Sequence, residues 1–187
     1  MPEQQETQQV TPQTGLSISA EQLREAFDQS FTRAVVTDAT RWLDFLQIRL
    51  DDRVHVLALD EVACLQPLSW VTPIPGPLPA LMGVIGHKGD IVPVYDLRIV
   101  LGYAATSAPR WMVVSRQPNL ALAFDAFDKH VRYPDGAVAR PAGGESAGDH
   151  IQMHLQVEGQ NWPIVSLASV GSSIQYAARQ CAQQQES

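Results

Sequence analysis

The chain has 187 residues, of which 45% are hydrophobic and 18% charged, so it has enough apolar content for a core and is not disordered as a whole. Its 20 acidic and 13 basic side chains give a net charge of −7, which argues against a nucleic-acid partner, because such a protein needs a cationic face. The longest apolar stretch spans about nine residues, roughly half of a bilayer-spanning helix. The N-terminus lacks the features of a signal peptide, and two distant cysteines fit a reducing compartment. Together these features predict a cytoplasmic protein without direct membrane insertion.

The first 36 residues are expected to form a tail and a helix. Residues 1–18 are rich in Gln, Thr and Pro, which predicts a disordered tail. Over residues 19–36, Ser19 and Gln22 fit a capping box and apolar residues recur at helical spacing, which predicts an amphipathic helix. This helix can pack on its own domain or be donated to a partner. In the second case, the side chains that a partner would bind are Leu23, Phe27 and Phe31.

From residue 41 onward the apolar residues alternate with polar ones, which is the pattern of β-strands. Two strands around a turn at Asp51-Asp52 lead into a segment with five prolines in 13 residues, 67–79, which excludes a helix or a central strand. Further strands are predicted over residues 82–85, 91–97, 111–115, 120–124, 131–133, 151–157 and 162–167. A mobile loop over 139–149 and a short C-terminal helix near 172–183, within a terminal segment 171–187, complete the expected elements. Short strands separated by frequent turns predict an all-β protein with barrel-like sheets.

An internal repeat with a constant offset of 70 residues connects two parts of the chain. The matching pairs are Gly89 and Gly159, Pro93 and Pro163, Leu97 and Leu167, and Val100 and Val170. In both copies a glycine turn leads into a strand that contains a proline, which predicts that the strand lies at a sheet edge or that the proline lies at its start. The repeat predicts two related barrels, one in each half of the chain.

The sequence lacks patterns typical of catalysis or of metal and cofactor binding. Ser115 and Ser166 lie outside a nucleophile elbow, and the glycines around residue 86 lack the Lys-Ser/Thr of a phosphate-binding loop. His150 and His154 would lie on the polar face of one strand about 13 Å apart, so we expect both to be solvated rather than to share a metal. We therefore predict a binding protein that is not an enzyme and has no catalytic residue, metal or cofactor.

One part of the chain resembles the CheW family of chemotaxis coupling proteins. Residues 71–76 read VTPIPG, 83–85 read GVI and 89–98 read GDIVPVYDLR, in the order and spacing of the family's TPVP…KGVINLRG-IVPVIDLR signature. The resemblance extends over residues 41–170 and is weaker in the second half. It implies two packed five-stranded β-barrels of the SH3-like type, and a scaffold without enzymatic activity.

The resemblance also implies the partners, which are the regulatory domain of a CheA-type histidine kinase and the cytoplasmic tip of chemoreceptors in membrane-associated arrays. Glu61 and Val62 match an acidic and aliphatic pair of the family, and Lys88 replaces an arginine in the family's Asn-Leu-Arg-Gly turn. The full set of residues that we expect to contact the kinase or the receptor is Leu59, Glu61, Val62, Ile74, His87, Lys88, Asp90 and Arg98.

Departures from the family pattern leave the pathway open. Gly86-His87-Lys88 replaces Asn-Leu-Arg, and a lysine cannot reproduce a bidentate arginine contact. Val165-Ser166-Leu167 replaces the late Leu-Asp-Leu of the second barrel. These changes and the N-terminal extension favour an adaptor of a specialised motility or biofilm pathway. The alternative is a receptor-array spacer or competitor that does not bind the kinase, and a more remote one is a small-ligand-binding barrel.

Overall fold

The structure, a computed structural model, describes residues 40–140 and 150–185. The predicted tail, the amphipathic helix with Leu23, Phe27 and Phe31, and nearly all of the predicted loop over 139–149 lie outside the described residues. Within the described residues the chain folds into two β-sheets and a C-terminal helix. None of the helices in this part of the chain is long and apolar enough to cross a membrane.

The strands and helices agree with the elements predicted from the sequence, with a few differences. The strands are β1 (Trp42–Leu50), β2 (Arg53–Ala58), β3 (Val62–Pro67), β4 (Leu81–His87), β5 (Asp90–Asp96), β6 (Trp111–Ser115), β7 (Ala121–Phe124), β8 (Ala126–Pro134), β9 (Val138–Ala139), β10 (Ile151–Val157) and β11 (Gln160–Val165). The helices are α1 (Leu97–Val100) and α2 (Leu167–Gln185), with 3₁₀ turns at Leu59–Glu61 and Asp135–Ala137. The sequence did not predict β3, and α2 begins before the expected residue 172. Both differences arise from distant contacts, because β3 pairs with β6 and α2 packs its first residues into the core.

The two sheets do not correspond to the two halves of the chain, although the repeat predicted that they would. The six-stranded sheet has the order β8-β1-β2-β11-β10-β9, and the five-stranded sheet has the order β3-β6-β7-β5-β4. Neighbouring strands are antiparallel except for the parallel pairs β2–β11 and β5–β7. The middle of the chain therefore forms the five-stranded sheet, while both ends meet in the other. The prediction of one barrel per half is wrong, because the hairpin β1–β2 is completed by strands that follow residue 125.

The 70-residue repeat marks the same hairpin in both sheets. The turn of β4–β5 has Lys88 and Gly89 at φ 51° and 90°, and the turn of β10–β11 has Glu158 and Gly159 at φ 47° and 82°. Positive φ at both central residues is the geometry that matches the twist of a two-residue hairpin. In each copy the second strand then pairs in parallel with a strand of another hairpin and leads into a helix.

The repeated prolines lie on interior strands, which corrects the edge-strand prediction. Pro93 pairs with β4 and Pro163 pairs with β10, so each strand has a neighbour on one side at the proline. The parallel pairing on the other side begins only at Val94 and Ile164. Each proline thus lies one residue before the parallel pairing begins. Its missing N–H therefore removes no hydrogen bond from that pairing.

Three apolar clusters hold the sheets together. All strands of the five-stranded sheet contribute to a cluster that includes Ile85, Val92 and Met112, and all strands of the other sheet to a cluster around Phe45, Val56 and Leu155. The third and largest cluster is shared by both sheets and by α2, and it includes Leu46, Ile48, Leu57, Val113, Leu122, Phe124, Leu167, Val170 and Ile174. Because each sheet encloses its own cluster and both share a third, the architecture is two packed β-units, as predicted. The six-stranded unit has five longer strands and the two-residue β9.

Candidate functional site

Three of the predicted contact residues meet at the tip of the β4–β5 hairpin. His87 pairs with Asp90 across the turn, and Lys88 occupies the first turn position. Lys88 and Asp90 are exposed and His87 is half-buried. The structure therefore places these three polar side chains in one accessible group at the end of the five-stranded sheet.

Large apolar side chains are exposed on this hairpin and on the proline-rich segment beside it. Thr72 of the proline-rich segment pairs with Val84 of β4 through two hydrogen bonds of 2.9 Å. Trp70 and Ile74, on either side of Thr72, are 81% and 40% exposed, and Ile91 at the start of β5 is 78% exposed. Ile91 was not among the predicted contact residues. The alternation along β5 could have identified it, since Val92 and Val94 occupy the buried face.

Leu59 lies where the chain crosses from one sheet to the other. The 3₁₀ turn Leu59–Glu61 connects β2 of the six-stranded sheet with β3 of the five-stranded sheet. Grooves of about 490 and 590 Å³ adjoin this turn, and Asp60 and Arg116 line both. Trp42, Leu43 and Leu59 add apolar surface to the first groove. The turn thus borders an open surface with both apolar and charged side chains. It is formed by elements other than the β4–β5 hairpin.

Glu61 is held within the molecule by α2. Its carboxylate accepts a hydrogen bond from the backbone N–H of Leu167 at 2.7 Å and one from the Ser166 hydroxyl at 3.3 Å. Its backbone carbonyl accepts from the N–H of Arg116 at 2.9 Å. Glu61 therefore ties the crossing turn to the first residue of the C-terminal helix.

Two predicted contact residues lie in the interior, which corrects their assignment to a surface. Val62 is buried in the cluster shared by both sheets. Arg98 is fully buried on α1, where its guanidinium donates to Asp96 at 2.7 Å and to Asp125 at 2.9 Å. The hydrogen bond with Asp96 raises the pKa of Arg98 further above its ordinary value. Neither side chain can reach a partner while it is buried, so the partner surface proposed below omits both.

The expectation that His150 and His154 are solvated needs a similar correction. His150 is buried rather than solvated, and its Nδ1 lies 3.1 Å from the Ser169 hydroxyl of α2. His154 is half-buried, and its Nδ1 is inaccessible and has no hydrogen-bond partner in the described part of the chain. The contact with α2 buries His150, and a strand pattern alone does not reveal it. Across residues 40–140 and 150–185, no group of three or more His, Cys, Asp or Glu side chains is arranged to hold a metal ion.

Comparisons with known proteins agree with this architecture. A family model described as a CheW-like domain matches residues 44–175. Among solved structures, the scaffolding protein TtCheW from Thermoanaerobacter tengcongensis is similar, with a TM-score of 0.62 and 16% identity, over 70% of this chain and 92% of that chain. A search of curated proteins finds no match. Because the family model covers well over half of the sequence, the chain belongs to the CheW-like domain family.

Proposed function

We propose that this protein is a non-catalytic adaptor that couples chemoreceptors to a CheA-type histidine kinase in a cytoplasmic chemosensory array. The match of a CheW-like domain to residues 44–175 carries the proposal. The similar TtCheW structure is described as a scaffolding protein, which supports the same role. The altered hairpin turn and the N-terminal extension favour a specialised motility or biofilm pathway.

The β4–β5 hairpin is the surface that we assign to the kinase regulatory domain. Exposed apolar side chains beside a charged turn suit the apolar centre and polar rim of a protein interface. Trp70, Ile74 and Ile91 supply the apolar part, and Lys88 with Asp90 supplies the charges. Lys88 projects from a turn without core packing, so its charge can be reversed while the fold is kept.

The turn at Leu59–Glu61 is the surface that we assign to the receptor tip. The first groove combines Leu59, Trp42 and Leu43 with the charged Asp60 and Arg116, which also line the second. An adaptor must bind both partners at once, and this turn and the hairpin are formed by different elements. Two separate surfaces are therefore consistent with a coupling role.

The test measures binding of the full chain to the kinase regulatory domain and to a receptor-tip fragment, both from the source organism, by isothermal titration. We expect micromolar affinities, about −8 kcal/mol, as for many transient signalling contacts. Lys88→Glu should weaken kinase binding more than tenfold and leave receptor binding and the melting temperature unchanged. Glu158→Lys is the matched control, because Glu158 is exposed and occupies the same position of the equivalent turn in the other sheet. This control should bind the kinase as the wild type does.

Each outcome discriminates between the candidate functions. Equal losses in Lys88→Glu and Glu158→Lys would show that kinase binding does not depend specifically on the β4–β5 hairpin. Receptor binding without kinase binding would identify a spacer or competitor, which the replacement of the family arginine by Lys88 favours. A chain that binds neither partner would refute the adaptor proposal.

A further inference from the structure

The two repeats begin their helices with different capping residues. Asp96 precedes α1, and its carboxylate accepts from the backbone N–H of Arg98 at 2.9 Å. Ser166 occupies the equivalent position, 70 residues later, before α2. Its hydroxyl accepts from the backbone N–H of Ser169 at 3.3 Å, which is the N-cap contact, but it carries no charge.

Glu61 supplies the negative charge that the second copy lacks. Its two carboxylate oxygens meet the backbone N–H of Leu167 and the hydroxyl of Ser166, 106 and 105 residues further along the chain. The first amide groups of a helix have no intrahelical acceptor, and a carboxylate near them is stabilised by the helix dipole. A long-range glutamate thus completes a cap that an aspartate forms alone in the first repeat.

This contact reaches the proposed receptor surface. Glu61 ends the turn whose Leu59 lines the first groove and whose Asp60 lines both, and Glu61 itself lines the second. Its backbone carbonyl accepts from the N–H of Arg116, which also lines both grooves. On the other side, α2 is fixed by Leu167, Val170 and Ile174 in the shared apolar cluster. The carboxylate therefore links a partly exposed turn to a firmly packed helix.

We infer that Glu61 is a positioning residue, which acts on partner binding by fixing the Leu59–Glu61 turn against α2 and not by offering its charge to a partner. The inference rests on the proposed function insofar as it concerns binding. Both carboxylate oxygens of Glu61 accept hydrogen bonds at the start of α2, so this side chain is committed to the helix. A requirement for a hydrogen-bond acceptor at position 61 then reflects the tie between the turn and α2 rather than ionic recognition.

The experiment moves the carboxylate from position 61 to position 166. Glu61→Ala should accelerate amide hydrogen exchange in the first turn of α2 by about tenfold and weaken binding of the receptor-tip fragment. Glu61→Gln should keep most of the binding, because its amide oxygen can still accept from Leu167. Adding Ser166→Asp to Glu61→Ala should restore the exchange protection, since an aspartate caps the helix locally. It should not restore the binding, because the Leu59–Glu61 turn stays untied from α2. The matched control Asp60→Ala removes the neighbouring exposed carboxylate and should leave exchange in α2 unchanged.

The inference is overturned if Glu61→Ala leaves exchange in α2 unchanged. It is also overturned if Ser166→Asp restores the binding together with the exchange protection, because the helix cap alone would then govern binding. If Glu61→Gln binds as poorly as Glu61→Ala, Glu61 is a direct ionic contact and the inference fails as well. A wild-type chain that binds no receptor tip would instead refute the proposed function, and the exchange measurements would still decide whether Glu61 holds the turn to α2.

Discussion

Replacing Arg98 by alanine tests the buried ion cluster at the junction of the two sheets. The guanidinium contacts Asp96 at the end of β5 and Asp125 between β7 and β8, and it also donates to Ser107 at 3.1 Å. Asp125 in turn accepts from the backbone N–H of Asp51, in the β1–β2 turn, at 2.7 Å. Arg98 therefore connects the five-stranded sheet to the first hairpin of the six-stranded sheet.

The expected loss follows from burial. The side chains of Asp96 and Asp125 are only 6% and 13% exposed, so Arg98→Ala leaves two carboxylates without their counter-ion in a poorly hydrated site. Removing one partner of a buried ion pair costs about 3–5 kcal/mol, a large share of the roughly 5–15 kcal/mol that stabilises a typical domain. Arg49 is the matched control, because it forms an ion pair with Asp128 at 2.9 Å but is 48% exposed. Arg49→Ala should cost less than about 1 kcal/mol.

Urea unfolding of both variants and the wild type, followed by far-UV circular dichroism, measures the two free energies of unfolding. Equal losses for Arg98→Ala and Arg49→Ala would refute the reasoning, because the Arg98 contacts with Asp96 and Asp125 are buried, whereas the Arg49 pair with Asp128 is exposed. A loss below about 1 kcal/mol for Arg98→Ala would show that the carboxylates find other partners or water.

Two further predictions concern a glycine and a histidine. Gly83→Ala should lower the free energy of unfolding by about 2 kcal/mol, because a Cβ at φ 149° would overlap the carbonyl of Thr72. The control Gly86→Ala should leave the free energy of unfolding unchanged in the same urea titration, because the space around Gly86 is open. Burial lowers the pKa of His55 below its ordinary value of 6.5 and outweighs a hydrogen bond with the backbone of Arg53, which raises it. The nearby positive charge of Arg53 lowers the pKa further. Acidification below about pH 6.5 should therefore destabilise the fold, since the unfolded chain takes up the proton first. The His55→Gln variant should lose less free energy of unfolding over that pH range. An equal loss in the variant and the wild type would contradict the assignment to His55.

Local chemistry made much of the fold predictable. Alternating apolar residues located most strands, and Lys88-Gly89 and Glu158-Gly159 identified two equivalent hairpin turns because few residue pairs adopt positive φ there. The signature around residues 71–98 identified the family, which the match over residues 44–175 confirms. Of the predicted contact residues, Lys88 and Asp90 could be placed on the surface because turn residues seldom pack in a core.

Tertiary structure alone decided which strands share a sheet and which charged residues face inward. The 70-residue repeat suggested one unit per half, but β1 and β2 pair with β8 and β11 from the far end of the chain. Arg98 is buried because Asp96 and Asp125 meet on it, and Glu61 is engaged because Leu167 and Ser166 reach it from more than 100 residues away. Strand period and turn chemistry depend on neighbours along the chain, whereas pairing and charge burial depend on groups that only folding brings together.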